Sequence, residues 1–470
     1  MVEGKARFTV LTPQLLRMEY DESATFEDRA TLAFVNRRLP VPKYNVTRKD
    51  GTLTIETSAI KLIYSAGRPF EAQTLSVAAS AKATAAGSKL KRWTPGASNS
   101  GNLLGTIRSL DKLGPTPLNC TTNRDVVVHN ETLHCEWGLT SRDGWALVDD
   151  TTNWALTPGA EWWDSPNRDN ADWYLFAHGH EYAKAVSDYT RVGGRAPLIP
   201  RYALGVWFTQ WYDFNNAATK ALVSKFQERS LPLDVYVTDM NWHQKDAWGG
   251  WTFDTNLYPY PTETFGWLHW QGLTVAANVH DADGVGSSDK MLEPMREAMG
   301  LDPTEKSSVP FSITNKSYAY ALEDIVLGDV AHEIDFIWSD YQQGEAKGGA
   351  VGGKQNPTMM LNKLRVTDPK RQRGAKDTTR KRGMTLSRWG GLGSHRYPVG
   401  FSGDVGNLTE SKQLTWANLA YQVRLAPTTP LRARTTCPGR STHAPPCPVV
   451  TALLFSHRRQ RGLRLLVSRH

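Results

Sequence analysis

Six short apolar runs follow one another in the second half of the chain: ALGVWF (203–208), LPLDVYVTDM (231–240), LTVAANVH (273–280), IDFIWSD (334–340), MTLSR (384–388) and VGFSGD (399–404). Between the first two, Ala218, Leu222, Val223 and Phe226 recur at helical spacing across Asn215 to Arg229, with Asp213 or Asn215 placed to cap the start. A second helical segment falls around Tyr318 to Leu327. Apolar strands separated by helices form parallel βα units, and six in series point to a barrel rather than an open sheet.

A barrel of this kind keeps its reactive groups at the C-terminal strand ends. Here those ends carry Trp211 and Asp213, Asp239 and Trp242, His280 and Asp281, Asp340, Arg388 and Asp404. The last two lie in LSRWGGLGSHRYPVGFSGDV (386–405), where glycines at 390, 391, 393 and 403 let the backbone bend close to a ligand. Arg388 and Arg396 are placed to fork onto hydroxyls or carboxylates.

The first 200 residues read differently. Segments such as ARFTVLT, LLRMEY, TLTIET, IKLIYS and DVVVHN alternate apolar and polar residues between turn residues such as Lys49-Asp50-Gly51, the pattern of an antiparallel β-sandwich. Ser80 to Ser100, rich in Ala, Ser, Thr and Gly, reads as a loose surface excursion.

Composition narrows the function classes. There are 17 Trp, many between Trp207 and Trp270, and flat aromatic faces suit the apolar face of a pyranose. The net charge of +8 comes from the tail. From Ser411 onward there is no Asp or Glu, while Lys412 and nine Arg supply ten positive charges, leaving residues 1–410 at −2. That distribution argues against nucleic-acid binding, and the Lys/Arg-rich run Lys370 to Arg382 reads as a solvated loop. Cys120, Cys135, Cys437 and Cys447 have no metal-ligand spacing and are too few for a disulfide scaffold. No signal peptide or membrane span is expected, so the compartment is left open, as is the oligomeric state, and the Asn-x-Ser/Thr triplets at Asn45, Asn119, Asn130, Asn315 and Asn407 read as chance occurrences.

Glycoside hydrolysis through an oxocarbenium-like transition state needs two carboxyl groups flanking the bond, about 5–5.5 Å apart in retaining enzymes. Asp340 and Asp404 are candidates for that pair. Asp239 and Arg388 are candidates to hold ring hydroxyls, with Arg388 also keeping a neighbouring carboxylate ionised.

Taken in order, LPLDVYVTDMNWH, DAWGGWTFDTNLYP, IDFIWSDYQQGE and LSRWGGLGSHRYPVGFSGDV resemble the signatures of glycoside hydrolase family 31, the α-glucosidase and α-xylosidase family, and the likeness runs from about Arg7 to Leu425, including GLTSRDGWALVDD. The resemblance implies an N-terminal β-sandwich (1–200), a (β/α)8 TIM barrel (201–425) and retaining hydrolysis of an α-glycoside or oligosaccharide, with no metal or organic cofactor. By motif position it implies Asp340 as nucleophile, Asp404 as acid/base, Asp239 and Arg388 gripping the sugar, Trp338 lining the site, and His243 and Trp248 lining the pocket.

The chain departs from the family in three places. Tyr-Gln-Gln follows Asp340 where many α-glucosidases have Met-Asn-Glu, and Met-Asn-Trp-His follows Asp239, so a simple maltase is not implied. Only six βα units can be counted, and strands seven and eight, a further active-site His and C-terminal β-domains are not found after Leu425. Residues 426–470, Pro-, Thr- and Arg-rich without periodicity, read as a disordered tail or as the product of a shifted frame or retained intron. An unclosed barrel would leave strand edges unpaired, so this polypeptide alone is expected to be poorly folded and weakly active. The alternative is a non-catalytic carbohydrate-binding or inactive fragment.

Overall fold

The computed structural model describes residues 1–105, 125–128, 131–165, 171–245, 249–340, 356–367, 382–388, 390–401 and 403. The expectations for Trp248, for Asp404, for residues 341–343 after Asp340, for most of the basic run and for residues 426–470 lie outside them.

Two antiparallel sheets organise the N-terminal region. One has five strands, in the order Val2–Glu3, Ala6–Thr12, Leu15–Tyr20, Asp172–Phe176 and Ala146–Asp149. The other is a four-stranded meander of Tyr44–Lys49, Thr52–Thr57, Ile60–Ser65 and Leu75–Ala79. In the meander, Leu53 and Ile55 are buried between half-exposed neighbours, and with Leu62, Tyr64 and Val77 they pack against Phe8 and Met18 of the first sheet. Alternation therefore produces the sandwich, each sheet offering one apolar face. The first hairpin of the meander turns at Asp50 and Gly51, both left-handed (φ 49° and 70°), which matches the twist of paired strands.

The Ser80–Ser100 stretch is more ordered than its composition suggests. Ser80 Oγ accepts from the Ala83 N–H at 3.1 Å and caps a short helix, Ala81–Ala85. Trp93 is buried in the sandwich core, and its backbone N donates to Val77 O at 2.8 Å. One large apolar side chain decides the path of a segment otherwise made of small residues. Cys135 is buried and disulfide-bonded, its partner lying outside the described residues.

The second region is a parallel sheet of six strands in sequence order: Trp207–Gln210, Val235–Thr238, Thr274–Val279, Phe336–Ser339, Thr385–Arg388 and Gly400–Phe401. It curls on itself, since the rings of Trp207 on the first strand and Phe336 on the fourth are 5.4 Å apart. Every predicted run overlaps one strand, but the strands are shorter than the runs, and the first extends two residues past its run to Gln210. Arg201–Leu204 forms a 3-10 turn, so the first strand begins only at Trp207. Asp239 caps a 3-10 turn instead of extending the second strand. The predicted helix before the fourth strand is interrupted, with a π-helical turn, Leu322–Val326, between Lys316–Ala321 and Gly328–Glu333. The helix after the first strand spans Asn216–Glu228, and Asn215, not Asp213, caps it, accepting from the Ala218 N–H at 2.9 Å.

The two regions meet over an apolar seam in which Leu32, Trp154 and Trp162 pack with Ile313, Met360 and Tyr397. Arg396 belongs to this seam and not to a ligand cleft. Its guanidinium donates to the backbone carbonyls of Gly193 and Leu32. Among the described residues no helix is long and apolar enough to cross a membrane.

Candidate functional site

Strand alternation decides which side chains enter the curled sheet. Val235, Val237, Ala276, Phe336, Trp338 and Leu386 form an inner cluster with Phe401. Their neighbours Tyr236, Val275, Ala277, Val279 and Ile337 pack outward against the helices. Continuing the inner alternation by two residues leads from Val237 to Asp239, from Ala276 to Asn278 and His280, from Trp338 to Asp340 and from Leu386 to Arg388. These polar residues share the C-terminal end of the sheet.

Asp340 is at the centre. Arg388, almost fully buried, donates from Nη1 to Asp340 Oδ1. Asn278 Nδ2 donates to Asp340 Oδ2 at 2.9 Å and also reaches Asp239 Oδ1 at 3.3 Å. His280 Nε2 is 3.7 Å from the same Oδ2. The Asp340 backbone N–H donates to Val279 O at 2.9 Å, so the strand pairing carries the aspartate into place. The Arg388 guanidinium lies over the Phe401 ring at 4.8 Å, which sets its approach. A cation on one oxygen and an amide donor on the other both stabilise the charged carboxylate. Burial, reinforced by Arg388, pushes the His280 imidazole below its ordinary value against the pull of Asp340, so the ring is neutral near pH 7.

The remaining predicted residues surround this centre unequally. Asp239 accepts from the Met240 N–H at 2.7 Å, the bond that caps its turn. Trp338 lies beneath the carboxylates, edge-on to Phe401 with ring centroids 5.1 Å apart. His243 is buried next to Trp242, with Nδ1 2.8 Å from Gln244 O and no hydrogen-bond partner for Nε2 among the described residues. Burial keeps it below its ordinary value. Gly250 makes room for it, since a Cβ there would lie 1.9 Å from His243 Nδ1. Trp211 and Asp213 belong to a rim in which Trp211 Nε1 donates to Asn241 Oδ1 at 2.7 Å and Lys245 to Asp213 at 2.8 Å. The Lys245 bond draws the Asp213 carboxyl below its usual range.

Two groups escaped the sequence reading. Asn278 is one; alternation from Ala276 would have found it. The other is an outward-facing ion network beneath the site, in which Arg365 donates to both oxygens of Asp281 at 2.6 and 2.9 Å, to Glu323 at 2.9 Å and to Ser339 Oγ. Asp281 is thus a tether between a strand end and the helix Pro357–Thr367, and burial pushes its carboxyl up against the pull of Arg365. No motif marks Arg365. Among the described residues no group of three or more His, Cys, Asp or Glu is arranged for a metal ion.

A curled parallel β/α sheet with a carboxylate-centred cluster at its C-terminal strand ends is the layout of a barrel-type site. Residues 196–429 match the glycosyl hydrolases family 31 TIM-barrel domain, and the chain belongs to that family. It is 28% identical over 106 residues to an α-xylosidase of Saccharolobus solfataricus, which is 23% of this chain and 14% of that protein. It is 30% identical over 104 residues to α-glucosidase 2 of Bacillus thermoamyloliquefaciens, 22% of this chain and 13% of that one. In structure it resembles a family 31 dextranase of Flavobacterium johnsoniae solved with isomaltotriose, with TM-score 0.57 and 16% identity over 89% of this chain and 56% of the other. An α-xylosidase from a soil metagenome, solved with xylose, gives TM-score 0.56 and 14% identity over 90% and 68%. The matches thus span about one seventh of the curated relatives and just over half of the dextranase.

Proposed function

We propose that this chain carries the site of a retaining α-glycoside hydrolase acting on α-glucosides, α-xylosides or related oligosaccharides. Asp340 is the nucleophile and Asp404 the acid/base. Asp239 and Arg388 hold ring hydroxyls, Trp338 backs the sugar, and His243 and Trp248 wall the pocket. The reading rests on one observation above all, that Asp340 stands at a strand end with Arg388 on one oxygen and the Asn278 amide on the other. Both donors favour the ionised form that a nucleophile needs. The α-xylosidase and α-glucosidase relatives support the sugar class.

In this mechanism an oxygen of Asp340 bonds to the anomeric carbon as the glycosidic bond breaks, and the leaving oxygen takes the Asp404 proton. Water then gives a proton to Asp404 and attacks the same carbon, releasing the sugar with its configuration retained and restoring the Asp340 carboxylate. The architecture that goes with it is a sandwich over 1–200 and a (β/α) barrel domain of about six units over 201–425, six of whose strands are described, followed by a basic tail over 426–470.

Hydrolysis of 4-nitrophenyl α-D-glucoside and α-D-xyloside by the full chain tests the proposal. Asp340→Ala should lower kcat by about a thousandfold or more, and added azide should restore cleavage by replacing the missing nucleophile. A variant within tenfold of the parent would overturn the assignment. A parent chain that is stabilised by these sugars without cleaving them would instead establish a non-catalytic carbohydrate-binding protein.

A further inference from the structure

Asn278 is fully buried, and its side-chain amide lies between two carboxylates. Ionised carboxylates only accept hydrogen bonds, so the amino end of the amide must face them. That orientation leaves Asn278 Oδ1 without a partner among the described residues. Turning the amide over would set oxygen against oxygen twice, so the unsatisfied acceptor is the lesser cost. The residue cannot drift, since Trp242 Nε1 donates to its backbone oxygen at 2.7 Å and it pairs in register with Trp338.

We propose that Asn278 is a positioning residue for the nucleophile: its one amino group joins the Asp340 and Asp239 carboxylates, keeps both ionised and fixes the lone pair with which Asp340 attacks. The inference rests on the reading of Asp340 as nucleophile. Two anions in a buried site raise each other's affinity for protons unless each has a donor, and the two hydrogens of Nδ2 supply one apiece. Among the described residues, the charged and titratable groups facing Asp340 are Arg388 on the fifth strand, His280 at the end of the third and Asp239 after the second. Arg388 donates to Oδ1 and Asn278 to Oδ2, so removing Asn278 takes a hydrogen-bond donor away from the second oxygen.

The test is a carbon-13 NMR titration of Asp side-chain carboxyls in the full chain, with the Asp340 resonance assigned by Asp340→Asn. Asn278→Ala should raise the Asp340 midpoint by about one pH unit. The acid limb of 4-nitrophenyl α-glycoside hydrolysis should move with it, with kcat falling about tenfold and KM changing less. Asn362→Ala is the comparison, because that similarly buried amide donates, among the described residues, only to Ser387 Oγ, at 2.7 Å. It should lower the melting temperature and leave the Asp340 midpoint in place. If Asn278→Ala does not fold, the isosteric Asn278→Asp puts a third carboxylate in the site and should raise the midpoint further. An unmoved midpoint in the folded Asn278 variant overturns this inference. Full activity in Asp340→Ala would instead overturn the nucleophile assignment, whatever Asn278 does.

Discussion

Arg388 and Asp340 show how much can hang on one buried pair. Neither charge would be stable alone where it sits, and replacing one partner strands the other in a medium that solvates it poorly. Arg388→Met should therefore cost about 3–5 kcal/mol of stability and abolish hydrolysis, read by denaturant unfolding and by kcat. Arg388→Lys keeps the charge but loses the planar fork and the stacking on Phe401, and should fall between the two. Asp340, Asp239 and Arg388 were all legible in the sequence because each follows an apolar run. Asn278 was overlooked, because an amide in the middle of VAANVH stands out only when the strand's alternation is carried on from Ala276, which turns it inward beside two acids.

At the level of elements, the strands supply direction and a helix supplies anchorage. Six apolar runs were enough to predict six strands in the observed order, because connections of helical length compel parallel neighbours. Their ends were not legible. The start of the first run is a 3-10 turn, Arg201–Leu204, in which Ala203 is buried and Leu204 exposed, and the third helical connection breaks into α, π and α turns that put Glu323 next to Arg365. This Arg ties the helix Pro357–Thr367 to the ends of the third and fourth strands through Asp281 and Ser339. Arg365→Met should take a shared cation away from two buried carboxylates, Asp281 and Glu323, and cost about 3–5 kcal/mol, seen as a large fall in melting temperature. Arg365 lies 25 residues after Asp340 in a stretch with no distinctive spacing, so only the folded chain reveals its role.

At the level of the whole molecule, sandwich and sheet are joined by buried aromatic rings and by side chains that reach across to backbone carbonyls. Trp162 stacks on Trp163 with centroids 4.1 Å apart and on Tyr320 across the seam at 5.8 Å. His395 Nε2 lies 2.7 Å from Gly194 O, and burial brings its imidazole down from 6.5 to about 4. An unfolded chain gains a proton there near pH 6.5, whereas the folded chain refuses it until about pH 4. Stability should therefore fall as pH drops through that window and lose nothing more from this residue below it. His395→Gln, which can still donate to the carbonyl, should show a shallower decline in melting temperature between those limits.

The stretch from Arg388 to Tyr397 is fastened at both ends. One end grips the Asp340 carboxylate and the other is hooked to Gly193, Gly194 and Leu32 of the neighbouring sandwich. It works as a tie-rod: whatever loosens the joint between the two regions slackens the support of the carboxylate. An interchange of the sandwich for an unrelated one would thus have to reproduce three backbone oxygens in place, and the sandwich is part of the tooling of the site.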